Sequence, residues 1–388
     1  MAQGKSTRQA AKISTRGEPL VWMHIGDLHL TDAALPNHLA LRDIILQANA
    51  HLVGQIDFVV LPGDNADDGT AEQYEMLRSE LDRLELPVHI IPGDHDFKSG
   101  NLHAFHEILE AEFLPKAMTV GDYRCIFLDY VSAGTGGPDF RLGQSQLAWL
   151  RAELQGAAAE GKESVVFAHA YPADLADAGE ANAFYGMLRE FRVAVVDMGH
   201  THYNELANDG RTIYASTRST GQIEEGPAGF SLLAVDDGVV SWRFKPVDEP
   251  WPVAMITSPA DRRLATRPLL PNHAPSGQTT VGAKAWSAQS ITRVDCKIGD
   301  SDWQPMDFIA SKHIWALDCR TPDGSFQITI RVTDQAGSTG FDNIEATSTF
   351  DETRERRADG SDRDAIGAWE EKHILGTQLG PNRNGRKW

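Results

Sequence analysis

Residues 20–29 read LVWMHIGDLH. The run Leu20–Ile25 reads as a buried strand that stops at Gly26, so Asp27 and His29 fall just beyond its C-terminal end. The same plan recurs down the chain. Phe58–Leu61 runs into Gly63-Asp64-Asn65-Ala66-Asp67, Val88–Ile91 into Gly93-Asp94-His95-Asp96, Val165–Ala168 into His169, and Val193–Val196 into Gly199-His200-Thr201-His202. Cys125–Leu128 reads as one more buried strand. Between the first two runs Leu41, Ile44, Ile45 and Ala48 recur at i, i+3, i+4, i+7, and Tyr74, Leu77, Leu81 and Leu84 follow a similar spacing before the next, which predicts amphipathic helices. Strands alternating with helices predict an α/β domain, and in open α/β sheets ligand sites form outside the C-terminal ends of the strands.

After His202 the texture changes. Thr212–Ala215, Gly229–Val235 and Val239–Phe244 read as strands without intervening helices and are expected to complete the sheets of a first domain, residues 20–245. Prolines 246, 250, 252 and 259 mark 246–259 as a linker. In 260–350 apolar residues alternate with polar ones, as in Val294, Cys296, Ile298 and Phe326, Ile328, Ile330, Val332, which predicts a small all-β sandwich. Residues 1–19 are polar and basic, with no apolar core of the kind a signal peptide needs, and are expected to be a disordered arm. Residues 351–388 carry eight acidic and eight basic side chains and read as a charged tail, either a docked helix or a mobile segment.

Across its 388 residues the chain has 55 Asp+Glu against 36 Lys+Arg, a formal net charge of -19, so neither nucleic acid nor an anionic membrane is an expected partner. No stretch approaches the roughly 18 apolar residues of a membrane span. Three scattered cysteines, Cys125, Cys296 and Cys319, form no CxxC pair, and a cytoplasmic location is the expectation. A disulfide between Cys296 and Cys319, which share the inward phase of two strands, would contradict it.

Each short polar string taken alone is weak, since GD after a strand is commonly just a turn. Together they supply three carboxylates, Asp27, Asp64 and Asp94, and four imidazoles, His29, His169, His200 and His202, for one pocket. That is a ligand set for two metal ions. Mixed carboxylate and imidazole ligation suits Fe, Mn, Zn or Ni rather than Ca or Mg, and the absence of Cys argues against a closed structural zinc site.

The ordered blocks D-x-H, GD-x-x-D, GDHD, a single His and GH-x-H resemble the signature of the calcineurin-like metallophosphoesterase superfamily, over about residues 20–245. Within it the chain is most similar to the class III cyclic nucleotide phosphodiesterases, and Leu142–Leu150, LGQSQLAWL, resembles a helix-opening segment frequent there. The resemblance implies a metallophosphoesterase-type β-sheet sandwich flanked by helices. It implies that Asp27, His29 and His202 hold one metal, that Asp94, His169 and His200 hold the other, and that Asp64 bridges them. It further implies that His95 contacts the phosphate and helps the leaving oxygen, with Asp67 orienting its imidazole. A hydroxide held between two metals, Fe or Mn first and Zn or Ni as alternatives, would attack a small phosphodiester such as a cyclic nucleotide.

One residue departs from the pattern. Asp94 stands where the family carries Asn, which lowers the formal charge of two divalent ions and their carboxylates from about +2 to about +1. Asp68-Gly69 in place of Arg-Gly argues against a protein phosphatase, and Asp67 in place of Tyr argues against a purple acid phosphatase. Phosphomonoesters, glycerophosphodiesters and nucleic-acid diesters are the alternative substrates, and a non-catalytic scaffold is the remote one. The second domain resembles, more weakly, the Ig-like modules appended to bacterial enzymes, through Ser301–Met306 and Thr329–Asp334, and a homo-oligomer formed through it is an open option.

Other residues read more plainly. His24 is expected to be a packed core histidine, His38, His51, His89, His103 and His106 surface or helix residues, and Cys125 a small core residue. Arg218 is either a phosphate or base contact or an exposed loop arginine, and Tyr171 either a base-stacking or a rim residue.

Overall fold

The computed structural model describes residues 17–135, 139–222, 226–267, 271–349 and 364–375. In chain order the first part contains β1 (Leu20–His24), α1 (Pro36–His51), β2 (Phe58–Leu61), α2 (Ala71–Leu81), β3 (Val88–Ile90), α3 (His103–Leu109), β4 (Lys116–Val120), β5 (Tyr123–Phe127), α4 (Gly143–Ala159) and β6 (Glu163–Ala168). It continues with α5 (Ala178–Glu190), β7 (Val193–Met198), β8 (Glu205–Asn208), β9 (Ile213–Ser216), β10 (Gly229–Asp236) and β11 (Val239–Pro246).

These strands form a five-stranded sheet in the order β11-β10-β1-β2-β3 and a six-stranded sheet in the order β4-β5-β6-β7-β9-β8. β1, β2 and β3 run parallel, as do β5, β6, β7 and β9, so the loops that follow them gather at one edge of each sheet. Alternation along β1 explains how the sheets face each other. Leu20 and Trp22 join Phe58, Phe127, Phe167 and Val195 in one apolar layer, where Trp22 meets Phe167 edge-on at 5.4 Å across the sheets. Val21 and Met23 point the other way, into the core shared with Leu41, Ile44 and Ile45 of α1 and Tyr74 and Leu77 of α2. α2 begins in a capping box, with Thr70 and Gln73 exchanging side-chain and backbone hydrogen bonds. The architecture is thus the expected sheet sandwich flanked by helices.

The rest is all-β: β12 (Val253–Ser258), β13 (Gly277–Trp286), β14 (Ile291–Ile298), β15 (Gln304–Pro305), β16 (Asp307–Ile309), β17 (Ile314–Thr321), β18 (Ser325–Asp334) and β19 (Thr339–Thr347). They make two four-stranded sheets, β12-β13-β17-β16 and β15-β14-β18-β19. Val294, Cys296, Cys319, Phe326, Ile328, Ile330 and Val332 form the core between them, and all three cysteines of the chain are free and buried.

Two expectations need correction. Residues 246–259 are not a plain linker, because 253–258 form β12, which is buried, pairs with β13 and packs against β10, β11, β18 and β19. The prolines bracket this strand, and none falls inside it, so its ladder hydrogen bonds survive. Residues 351–363 and 376–388 of the charged tail, and 1–16 of the expected arm, lie outside the described residues. Residues 364–375 are docked, though not as an α-helix. Ala365 bridges Ala207 beside β8, Trp369 and Ile374 enter the layer between the two first sheets, and Arg263 covers Trp369 at 3.7 Å.

Candidate metal centre

The chain turns sharply where each parallel strand ends. His29, Asp64, His200 and His202 all have positive φ, between 43° and 68°, a region non-glycine residues enter at a cost that surrounding structure must over-determine. The turns are over-determined here. His29 N–H donates to the Asp64 carbonyl at 2.8 Å, and Asn37 in the first turn of α1 donates to the carbonyls of both Leu28 and His29 at 2.9 Å. Between β2 and Asp64, Gly63 has a φ of 128°, and a Cβ there would lie 2.1 Å from His169 Nδ1. At Gly93 a Cβ would lie 2.2 Å from Asp64 Oδ1. Both glycines leave room for ligand-type side chains to converge.

The convergence is complete for the nine residues expected from the sequence. Asp27, His29, Asp64 and His202 each place a donor atom within 4.8 Å of the others, and so do Asp64, Asp94, His169 and His200. Asp64 belongs to both groups: its Oδ2 is 3.6 Å from His29 Nε2 and its Oδ1 is 3.5 Å from His169 Nε2. Beside them His29, Asp67 and His95 form a third group, at the more exposed end of the pocket.

Hydrogen bonds fix which atoms point inward. His169 Nδ1–H donates to the Pro62 carbonyl at 2.9 Å, so its Nε2 faces Asp94 Oδ1 at 3.0 Å and Asp64 Oδ1 at 3.5 Å. His29 Nδ1–H donates to Asp67 Oδ1 at 3.2 Å, and its Nε2 faces His202 Nε2 at 3.0 Å. Ring nitrogens set against carboxylates and against each other mark places that a shared cation, either a proton or a metal ion, reconciles. Asp27 adds to this: its Oδ1 accepts the His200 N–H at 2.9 Å, while its buried Oδ2 has no hydrogen-bond partner among the described residues. Without a metal ion, the carboxylates favour a proton on His169, whereas His29 resists one. Burial would lower the pKa of His169, yet Asp64, Asp94 and Asp27 outweigh it and raise it to about 10, whereas burial and the neighbouring imidazoles push His29 down to about 2. Burial, with Asp94 and Asp27 beside it, holds Asp64 well above the usual carboxylate range. The donor set therefore fits two metal ions that share the Asp64 carboxylate.

His95 differs from these ligand-type groups. Its Nδ1 is 2.8 Å from the Asp67 carbonyl and 3.1 Å from Asp67 Oδ1, which leaves Nε2 for whatever enters the pocket. Lys98 also reaches the Asp67 carbonyl and stands 3.3 Å from Asp68 Oδ1.

Several residues that sequence reasoning leaves aside support the site. Asp96 is buried and accepts from Asn65, Ala66, Gly93 and Tyr74, knotting the loops after β2 and β3 together. Phe140 packs edge-on against His200 at 4.8 Å, and Gln222 donates to Asp67 Oδ1 at 3.3 Å. Asp96 closes the GDHD string and so carried a signal; Phe140 and Gln222 carried none. Arg218 is neither a substrate contact nor an exposed residue: it is buried, donates to the His373 carbonyl at 2.8 Å and lies over Phe244 at 4.5 Å. Tyr171 is likewise buried, against Tyr214. His38, expected to be a surface or helix residue, lies in α1 and is buried with Nε2 3.3 Å from Glu80 Oε1.

Residues 21–204 match the family model of the calcineurin-like phosphoesterases. A glycerophosphodiester phosphodiesterase of Enterobacter lignolyticus is 31% identical over 168 residues, which are 40% of this chain and 58% of that protein. The match to a probable glycerophosphodiester phosphodiesterase of Arcobacter nitrofigilis, 32% identical, spans 30% of this chain and 43% of the relative, so the chain spans only about half the length of these two relatives. The 3',5'-cyclic adenosine monophosphate phosphodiesterase of Escherichia coli K12 is 26% identical over 201 residues, 49% of this chain and 69% of that enzyme. Among solved structures, a dimetal phosphatase from Danio rerio superposes with a TM-score of 0.48 at 16% identity, covering 60% of this chain and 98% of that one.

Proposed function

We propose that this chain, whose residues 21–204 match the family model of the calcineurin-like phosphoesterases, is a binuclear metal-dependent phosphodiesterase whose metals are held by Asp27, His29, Asp64, Asp94, His169, His200 and His202. The observation that carries this reading is the pair of Asp/His clusters sharing one carboxylate, Asp64. When bound, two such ions supply Lewis acidity toward phosphoryl oxygens and a strong nucleophile from water at neutral pH.

The protein's own groups do the rest. Asp67 holds His95 by Nδ1, which orients the ring; as imidazolium, with Nδ1–H given to Asp67, His95 points Nε2–H into the pocket and gives that proton to the departing oxygen, leaving the neutral ring. Asp67 also holds Nδ1 of His29, so one carboxylate orients a metal ligand and the general acid together. No Ser or Cys nucleophile is required, and Cys125 is buried with its thiol pKa pushed up by burial.

Small phosphodiesters are the substrate class, with cyclic nucleotides first. Glycerophosphodiesters are the second reading, favoured by the 31% and 32% identity to relatives named for that activity. Iron or manganese suits the mixed carboxylate and imidazole set that Asp94 completes. Asp94 lowers the positive charge of the centre, so Asp94→Asn is expected to accelerate diester hydrolysis at unchanged metal content; a slower variant containing only divalent ions would refute that role. No helix among the described residues is long and apolar enough to cross a membrane, and a cytoplasmic location belongs to this proposal.

The test is to purify the chain without chelator, measure its metals, and assay bis-(p-nitrophenyl) phosphate and the monoester with and without manganese. About two metals per chain and a diesterase rate that collapses in His95→Ala support the reading. An inert chain that takes up no metal overturns it. Relative rates on cyclic nucleotides and glycerophosphodiesters then rank the two substrate classes.

A further inference from the structure

We propose that Trp22, His24 and Asp197 form a buried brace between the two sheets that sets the spacing of the metal-bearing loops; it rests on the metal-centre reading above.

The layer between the sheets is apolar almost throughout, with Phe58, Val60, Phe127, Phe167, Val195 and Leu233 filling it. One hydrogen-bonded cluster lies within it. Trp22 Nε1–H donates to Asp197 Oδ2 at 2.7 Å, and His24 Nδ1 lies 2.8 Å from Asp197 Oδ1. None of the three is more than 1% exposed. Trp22 and His24 belong to β1 in the five-stranded sheet, and Asp197 to β7 in the six-stranded one, so both contacts cross from sheet to sheet.

Stability alone does not select this arrangement. A buried carboxylate paired with imidazole is commonly no more stable than apolar side chains of the same volume. His24 Nε2 is, moreover, buried with no hydrogen-bond partner among the described residues, which adds to the cost. Hydrogen bonds do what apolar contacts cannot, because the hydrophobic effect is non-directional whereas a donor and acceptor fix a distance and an angle.

The location says what is being fixed. Asp27 follows His24 by three residues on one sheet, and His200 follows Asp197 by three on the other. Directly beyond the brace the two loops touch: His200 N–H donates to Asp27 Oδ1 at 2.9 Å, and a Cβ at Gly199 would stand 2.9 Å from both Asp27 oxygens. A shift of one sheet against the other would therefore separate Asp27 and His29 from His200 and His202. Metal ligation tolerates only about 0.5 Å of such error. Trp22, His24 and Asp197 are positioning residues; none of them reaches the pocket itself.

The experiment compares the full-length parent with the double variant His24→Leu/Asp197→Leu and with Asp197→Asn, which keeps an acceptor for Trp22 and a donor for His24. Mn²⁺ affinity is measured by competition with a chelating dye, thermal unfolding is followed on metal-free protein, and kcat and KM are measured on bis-(p-nitrophenyl) phosphate. The brace predicts a double variant that unfolds no earlier than the parent, binds Mn²⁺ roughly 10- to 100-fold more weakly, and loses kcat more than KM, with Asp197→Asn close to the parent. A folded double variant with parental Mn²⁺ affinity overturns it. If the double variant does not fold, Trp22→Phe removes one of the two contacts and keeps the ring; a severalfold loss of Mn²⁺ affinity supports the brace, and parental affinity overturns it. A parent that binds no Mn²⁺ sinks the metal-centre reading and the brace with it, whereas a parent and variants that bind equally well sink the brace alone.

Discussion

His95 and His169 show how one residue type serves two tasks through what its Nδ1 touches. His169 gives Nδ1–H to a backbone carbonyl deep in the fold and aims Nε2 at carboxylates, while His95, held by Asp67, aims Nε2 outward at partial exposure. Replacing His95 by Ala is therefore expected to leave metal content at the parent value and lower kcat by about 10²- to 10³-fold, checked by elemental analysis alongside steady-state kinetics. A variant that loses metal as well would make His95 a ligand. Residues of this kind are legible in the sequence because each follows a strand end, and parallel strands bring their ends together. Asp96, Phe140 and Gln222 are not legible in the same way, since their roles arise from contacts between segments far apart in the chain, such as Gln222 with Asp67.

At the level of elements, the tight turns after the strands carry the site, and Gly63 is the tightest. A methyl group there would meet His169 Nδ1 and force it off the Pro62 carbonyl. Gly63→Ala is expected to weaken Mn²⁺ binding by roughly 10- to 100-fold, as loss of a ligand's supporting hydrogen bond does, with isothermal titration as the measurement. The docked segment 364–375 makes a separate prediction. Trp369 is buried in the inter-sheet layer, with Arg263 over its ring, so Trp369→Ala is expected to cost about 3 kcal/mol in urea unfolding. This segment and β12 are among the elements the sequence conceals, as are β4 and β8. β12 hides among prolines that read as a connector, and 364–375 has too few apolar residues for any periodicity to stand out, although two of them, Trp369 and Ile374, do the docking.

At the scale of the molecule, the two parts are fastened by hydrogen bonds as well as apolar packing. His51 at the end of α1 stacks on Trp251 at 3.9 Å and accepts the Ala288 N–H at its Nδ1, and Arg243 of β11 donates to the carbonyls of Ala254 in β12 and Phe341 in β19 at 2.9 and 2.6 Å. Accepting at Nδ1 requires neutral imidazole, and burial, aided by Lys245, lowers the pKa of His51 from 6.5 to about 4. Between those values the unfolded chain holds a proton that the native chain does not, so this contribution to stability is complete above about pH 6.5 and is lost as the pH falls toward about 4. Melting curves across that range should show a decline that is shallower in His51→Gln; identical slopes would remove His51 from the account. The segment 364–375 also has a consequence in time. It closes the open side of β8 and reaches the layer behind the metal-bearing loops only after the whole β module has been synthesised, because the module precedes it in the chain. During translation the first part thus waits, with an open edge and an unfilled seam, for residues that leave the ribosome more than a hundred positions after β11, so the β module sets the schedule on which the first part is completed.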